Sequence, residues 1–384
     1  MSEFDDIRPY NDDEVRPILN RLLNDPEFLD SIAQLKFPNA GMLLARFVRP
    51  LVRKRLRREV EGVESVEDFQ ARIESYLKDL LDRTVTKLSV SGLDNLSANK
   101  AYLFISNHRD IAMDSALVNW ALFHNQFGTL RIAIGDNLLT KPFASDLMRL
   151  NKSFIVNRSA TAPREKFKAA KRLSKYIQQS VLEDGEHVWI AQKEGRAKDG
   201  IDKTNSAIIN MLCMSKRKTR SLGEYIAEAN IVPVSISYEY DPCDQLKARE
   251  LFEKASSGSY HKGEHEDVMS IAEGIKGFKG NVCLNFGEPL GEGFASIDEV
   301  TDYLDKKIIS GYLLHPSNCF AYQKLYGKTP AVKMGEDNSW FGEGDWESQR
   351  AFFNARIAGC PKDYLEHLLH AYANPVVNKL ELNN

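Results

Sequence analysis

The sequence predicts an α/β protein: a mixed, largely parallel sheet flanked by helices, with a helical N-terminal arm and a helical C-terminal extension. Three observations point there. Short apolar runs such as Ala101-Tyr102-Leu103-Phe104-Ile105 and Ile231-Val232-Pro233-Val234-Ser235-Ile236-Ser237-Tyr238 have the pattern of buried strands. Segments with apolar residues at helical spacing lie between such runs, and that alternation is what a sheet covered by helices produces. Both ends of the chain carry the helical period alone.

Residues 1–83 read as the helical arm. Asp25-Pro26 is a helix start signal, and from Ser65 apolar residues recur at Phe69, Ile73, Tyr76, Leu77 and Leu80. Between these helices lies a segment from Met42 to Arg58 that is apolar on one side and strongly cationic on the other. Arg46, Arg49, Arg53, Lys54, Arg55, Arg57 and Arg58 fall within it. Two readings fit: a helix that lies on an anionic membrane surface, or one that packs its apolar stripe on the core and solvates its charges.

From Thr84 the period changes, with Val85, Leu88 and Val90 alternating before Gly92. The run 101–105 is the next strand, and a helix is expected from Asp114 through Phe123. Strand-like stretches follow at 130–134 and 153–156. A helix with apolar positions Phe167, Ala170, Leu173, Ile177 and Val181 comes next, then strands at 187–191, 231–238 and 281–287. Residues 84–292 are thus read as the α/β core and 293–384 as the helical extension. Two stretches rich in Gly and charge, 256–267 and 335–345, are expected as surface loops.

A chain of 384 residues, 43% hydrophobic and 27% charged, can bury one large core. Its 51 basic and 54 acidic residues nearly cancel, so no global field argues for nucleic acid. The five cysteines are far apart, form no Cys-x-x-Cys pair and are odd in number, which points to reduced thiols buried as small hydrophobes. The acidic amino terminus does not look like a secretory signal, and no window reaches the roughly 18 apolar residues a membrane span needs. A cytoplasmic protein, peripheral on the inner face of a membrane, is the expectation.

The candidate chemistry begins at Ser106-Asn107-His108-Arg109-Asp110-Ile111-Ala112-Met113-Asp114. His108 follows a buried strand and precedes a helix, where open α/β sheets present functional groups at their carboxyl edge. A histidine there can take a proton near neutral pH, and either Asp110 or Asp114 can hold the imidazole in one tautomer. The bland reading is a turn histidine beside an Asp that caps a helix. Two further strand ends carry cations: Arg158 in Phe154-Ile155-Val156-Asn157-Arg158-Ser159, and Lys193 and Arg196 in Gln192-Lys193-Glu194-Gly195-Arg196. Arg suits bidentate capture of phosphate.

With these blocks in this order the chain resembles the glycerolipid acyltransferase superfamily, which includes glycerol-3-phosphate and lysophosphatidate acyltransferases. Asn107-His108-Arg109 with a following Asp is similar to the first family block. The segment Phe154 to Ser159 is similar to the second, whose Arg binds the acceptor's phosphate. Glu194-Gly195-Arg196 looks like the third and Ile231-Val232-Pro233-Val234 the fourth. Val90-Ser91-Gly92-Leu93-Asp94-Asn95-Leu96 and Phe286-Gly287-Glu288-Pro289-Leu290 add to the likeness, which covers about residues 84–292.

Two positions depart from the family pattern. Five residues, not four, separate His108 from Asp114, and Arg196 follows Gly195 with no residue between. On a regular helix one added residue turns a side chain by about 100°, so a His108–Asp114 pair requires the loop to absorb it. Because Asp114 opens the apolar helix as the family's Asp does, it is preferred to Asp110, which stays open as the partner.

The resemblance implies that His108, oriented by the Asp, takes the proton of an acceptor hydroxyl as its oxygen attacks an acyl thioester. Acyl-CoA or acyl carrier protein would be the donor and co-substrate, with no other cofactor. Arg158 and Arg196, with Lys193, Glu194 and Gly195 beside them, would form the binding site of a glycerol phosphate or lysophospholipid acceptor. Competing readings are a lipid-binding protein of the same fold without catalysis, and an acyltransferase whose acceptor lacks phosphate.

Other signals weigh less. His261-Lys262-Gly263-Glu264-His265-Glu266-Asp267 has metal-like composition, but Gly263 interrupts any helix that would align its histidines. His367 and His370 read as packing or surface residues. The stretch Gly195 to Thr204 only superficially resembles a phosphate loop, since no Gly stands directly before its Lys-Thr. Trp340, Phe341 and Trp346 either cap the core or touch lipid.

Overall fold

A computed structural model describes residues 3–36, 42–216, 219–263 and 266–382, and the side chains of these residues other than 35, 36 and 42–46. In chain order the main elements are α1 (Asp12–Asn24), α2 (Pro26–Lys36), α3 (Met42–Glu59), α4 (Val66–Thr84), β1 (Val85–Ser91), β2 (Leu103–Ser106) and α5 (Met113–His124). Next come β3 (Leu130–Gly135), α6 (Pro142–Leu150), β4 (Ser153–Val156), α7 (Pro163–Leu182), β5 (His187–Ala191), α8 (Ser206–Leu212), α9 (Leu222–Glu228) and β6 (Ile231–Tyr238). The chain continues through α10 (Asp244–Ser257), α11 (Glu266–Lys276), β7 (Gly280–Phe286), α12 (Ile297–Gly311) and α13 (Pro316–Tyr326). It ends with β8 (Lys333–Met334), β9 (Ser339–Trp340), α14 (Glu347–Ala358) and α15 (Lys362–Leu382).

These elements fall into two compact units, one of Met1–Asp79 with Arg131–Ala169 and one of Leu80–Leu130 with Ala170–Asn384. In the first, α1 opens with Asn11, whose backbone N–H bonds the Glu14 carboxylate three residues on. Val15, Ile18, Leu19 and Leu22 of α1 pack with Phe28 and Leu29 of α2 and with Val52 of α3, and Leu150 of α6 closes this core. Arg21 holds Asp146 of α6 through both carboxylate oxygens. β3 and β4 run parallel, with Ile132 opposite Ser153.

Helix α3 shows how its mixed pattern is used. Val48, Val52 and Leu56, spaced by four, face the core of the unit. Phe47 and Leu51 point outward and are 81% and 66% exposed. Lys54 and Arg58 share that outward face at helical spacing. The side chains of Met42 through Arg46, the start of the cationic segment, lie outside the described residues.

The second unit is built on five strands in the order β1-β7-β6-β2-β5. β2 lies parallel to both β5 and β6, and β1 parallel to β7, whereas β6 and β7 are antiparallel. Every residue of β2 and β6 is buried, which is why both read as unbroken apolar runs. The carboxyl ends of β2, β5 and β6 therefore share one edge. The fold is mixed α/β with a largely parallel sheet flanked by helices and with helices at both ends.

The C-terminal helices make a core of their own. Phe320 and Tyr322 of α13, Phe353 of α14 and Leu368, Tyr372 and Val376 of α15 are buried together. Within the stretch expected as a second surface loop, a tight hairpin pairs Met334 with Ser339 and Lys333 with Trp340. Phe341 is buried against Phe320, and the indole of Trp346 donates to the Phe341 carbonyl, so these two aromatics cap the core. The first loop is shorter than expected because α11 already begins at Glu266.

All five cysteines are free, four of them buried and Cys213 half-buried. No helix among the described residues is long and apolar enough to cross a membrane.

Candidate active site

The strand β2 ends at Ser106, and Asn107 extends its pairing by side chain. The Asn107 amide accepts from Ile236 N at 2.8 Å and donates to Ile236 O at 2.9 Å, clamping the loop to β6. On β5's side, Gln192 N bonds Ser106 O and Ala197 N bonds the His108 carbonyl at 2.7 Å. The backbone that carries His108 is thus held from both neighbouring strands.

His108 Nδ1 lies 2.8 Å from Asp114 Oδ2. The same oxygen accepts from Arg109 N at 2.6 Å and Asp110 N at 3.0 Å, and the Tyr238 hydroxyl donates to Oδ1 at 2.7 Å. Asp114 is surrounded by donors, and an imidazole that donates to it from Nδ1 keeps its lone pair on Nε2. The imidazole is 14% exposed and the carboxylate fully buried. Nε2 makes no hydrogen bond with the described residues, and the ring meets Trp189 edge-on at 5.9 Å.

The pairing resolves the five-residue gap. Asp114 is the second residue of α5, so the added residue sits in the loop 107–112, where the Asp114 carboxylate itself gathers two N–H groups. Asp110 has a different place. Its Oδ1 accepts from Ala112 N and Met113 N, capping the helix, and its Oδ2 is buried without a partner. Burial, together with the charge of Asp114, pushes the Asp110 carboxyl above the ordinary range.

The third block lies alongside. Gly195 turns with φ +74 and is exposed with Glu194, while Lys193 Nζ bonds the Ile201 carbonyl at 3.1 Å. Arg196 is half-buried and its Nη1 is buried without a hydrogen-bond partner. Arg158 belongs to the other unit. There its backbone N–H bonds Asp136 Oδ1, and the side chain is exposed and passes over Gly135.

Several residues at this edge were not singled out by sequence. Arg109 is buried and its guanidinium is 2.5 Å from Asp202 Oδ2, which gives the Gly-rich stretch 195–204 an internal role. Lys247 of α10 is buried, donating to the Arg109 carbonyl at 2.6 Å and pairing with Asp241. Tyr238 closes β6, and burial, with the charges of Asp114 and Asp110, pushes its hydroxyl well above the usual tyrosine range. Its one sequence signal was its place at the carboxyl end of an apolar strand, the edge His108 also occupies.

The supporting motifs also meet: Gly92, at φ +81, lets the chain pass so close to Phe286 O that a Cβ would stand 1.9 Å from it. His261 lies in a described loop, but His265 is outside the described residues. No group of three or more His, Cys, Asp or Glu able to hold a metal occurs among the described residues. His367 packs against Phe252, and His370 lies 3.7 Å from Glu366 at the surface.

Comparison with known proteins gives a family model and a similar solved structure. Residues 87–237 match the model of the Acyltransferase family. Among solved structures, the chain is similar to the 1-acyl-sn-glycerophosphate (LPA) acyltransferase PlsC from Thermotoga maritima, at 17% identity and a TM-score of 0.37, over 76% of this chain and 94% of that one. No curated protein matches the sequence. The residues matched by the Acyltransferase model contain both His108 and Asp114.

Proposed function

We propose that the protein is an O-acyltransferase that moves a fatty acyl group from acyl-CoA or acyl carrier protein to the hydroxyl of a glycerol phosphate or lysophospholipid. His108 is the general base. The observation that carries this reading is the 2.8 Å contact of His108 Nδ1 with a buried Asp114 carboxylate, which leaves Nε2 as the basic nitrogen. The acceptor hydroxyl gives its proton to Nε2 as its oxygen bonds the thioester carbonyl carbon. The C–S bond then breaks, and the departing thiolate takes the proton from the imidazolium. A lipid-binding protein without catalysis has no need of such a pair.

A phosphate on the acceptor is favoured over a plain alcohol by Arg196, whose buried Nη1 lacks a protein partner. Lys193, at the same strand end as Arg196, is proposed as the further phosphate contact. The exposed Phe47 and Leu51 beside Lys54 and Arg58 support attachment of α3 to an anionic membrane surface on the cytoplasmic side. Flotation with vesicles containing anionic lipid tests this: Phe47→Ser with Leu51→Ser should lose binding, and unchanged flotation overturns it. The catalytic reading is tested by incubating purified protein with long-chain acyl-CoA or acyl carrier protein thioester and either glycerol phosphate or lysophosphatidate. Acylated product is expected from one pair, and absence of transfer from all four contradicts the reading.

A further inference from the structure

We infer that Tyr238 is a positioning residue for the His108–Asp114 pair, acting on the imidazole through the carboxylate. This rests on the reading of His108 as the base. Asp114 has one oxygen for His108 and the backbone, and one for Tyr238. Oδ2 takes the imidazole and the N–H groups of Arg109 and Asp110, while Oδ1 takes the Tyr238 hydroxyl at 2.7 Å. Tyr238 is itself 5% exposed and fixed at the end of β6, whose pairing with β7 runs to Tyr238 opposite Val282. Rotation of the carboxylate away from His108 would therefore strand a buried hydroxyl as well as two backbone donors.

The hydroxyl also shares out the carboxylate's charge. A donor on Oδ1 draws electron density from Oδ2, so it sets how strongly Oδ2 attracts the Nδ1 proton. Other charged groups around the tyrosine include Asp110 in the same loop, Asp241 in the turn after β6, Lys247 of α10, which pairs with Asp241, and Arg109, Lys198 and Asp244, which line the same cavity. Lys247 also grips the Arg109 carbonyl, so the loop bearing the dyad is held from α10 as the dyad is held from β6.

The test is the proton resonance of His108 Nδ1–H in the full-length protein. Tyr238→Phe removes the donor, concentrates charge on Oδ2 and should move the resonance downfield. Replacing Tyr238 by 3-fluorotyrosine, a stronger donor of nearly the same shape, should move it upfield. Transfer by Tyr238→Phe should show kcat reduced roughly tenfold, a part of what base catalysis supplies, with the acceptor KM unchanged. A purely packing role predicts no opposed shifts, and a resonance that stays put in both variants overturns the inference. If Tyr238→Phe does not fold, the fluorinated protein decides alone. His108→Ala is the separate control: should it keep full transfer, the base reading falls, while the resonance still decides the role of Tyr238.

Discussion

Asp114 Oδ2 stands 2.8 Å from His108 Nδ1 although five residues lie between the two. The loop folds around the carboxylate, since the N–H groups of Arg109 and Asp110 point at the same oxygen. One group thus orders the loop, opens α5 and orients the imidazole.

Asp114→Asn keeps the shape but puts an amide where His108 needs an acceptor. On the proposed mechanism kcat should fall on the order of 10³- to 10⁴-fold in steady-state transfer assays. Asp110→Asn, which keeps an oxygen for capping and does not touch His108, should lose far less. Equal losses would show that the histidine's partner has been misassigned.

Arg196→Ala should raise the KM of a phosphate-bearing acceptor on the order of 30-fold, the effect of about 2 kcal/mol from a lost charged contact. Turnover of an acceptor alcohol without phosphate should be unchanged by the same substitution. A uniform loss for both acceptors would deny Arg196 a role in phosphate recognition.

Gly274 of α11 packs directly on Asp110, where an added Cβ would stand 2.0 Å from Oδ2. Gly274→Ala should cost roughly 1–3 kcal/mol by overpacking, read as a lowered melting temperature. A variant that melts with the parent would mean that this contact yields easily.

His315, buried just ahead of α13, has its pKa pushed down from 6.5 to about 4 by burial. The unfolded chain therefore binds a proton on this residue at a higher pH than the folded one. Stability from this group is present above pH 6.5 and is lost as pH falls toward 4. Thermal melts across that window should show a shallower decline for His315→Asn than for the parent, and parallel declines would refute it.

Much of the α/β core was legible because strands buried on both faces leave unbroken apolar runs, as β2 and β6 do. Strand direction leaves no such trace, so the antiparallel pairing of β6 with β7 was invisible. The hairpin Lys333–Met334 with Ser339–Trp340 has strands of two residues, too short to show alternation.

At the site, His108 and Asp114 stood out because chemistry and local position coincide in one short run. Tyr238 did not, since a tyrosine ending a strand is ordinary until its hydroxyl meets Oδ1 across 124 residues. Asp202 was hidden in a Gly-rich stretch that looks like a loop, although it holds Arg109. The buried contacts of Asp244 with Arg356 and Tyr372 were equally hidden, because polar residues on helices read as solvated faces.

Replacing His108 by Ala in the full-length protein tests the central claim most directly, with transfer measured at saturating acyl thioester and acceptor. The dyad predicts a kcat lower by about 10²- to 10⁴-fold, with the melting temperature preserved. Full turnover in the Ala variant would contradict it.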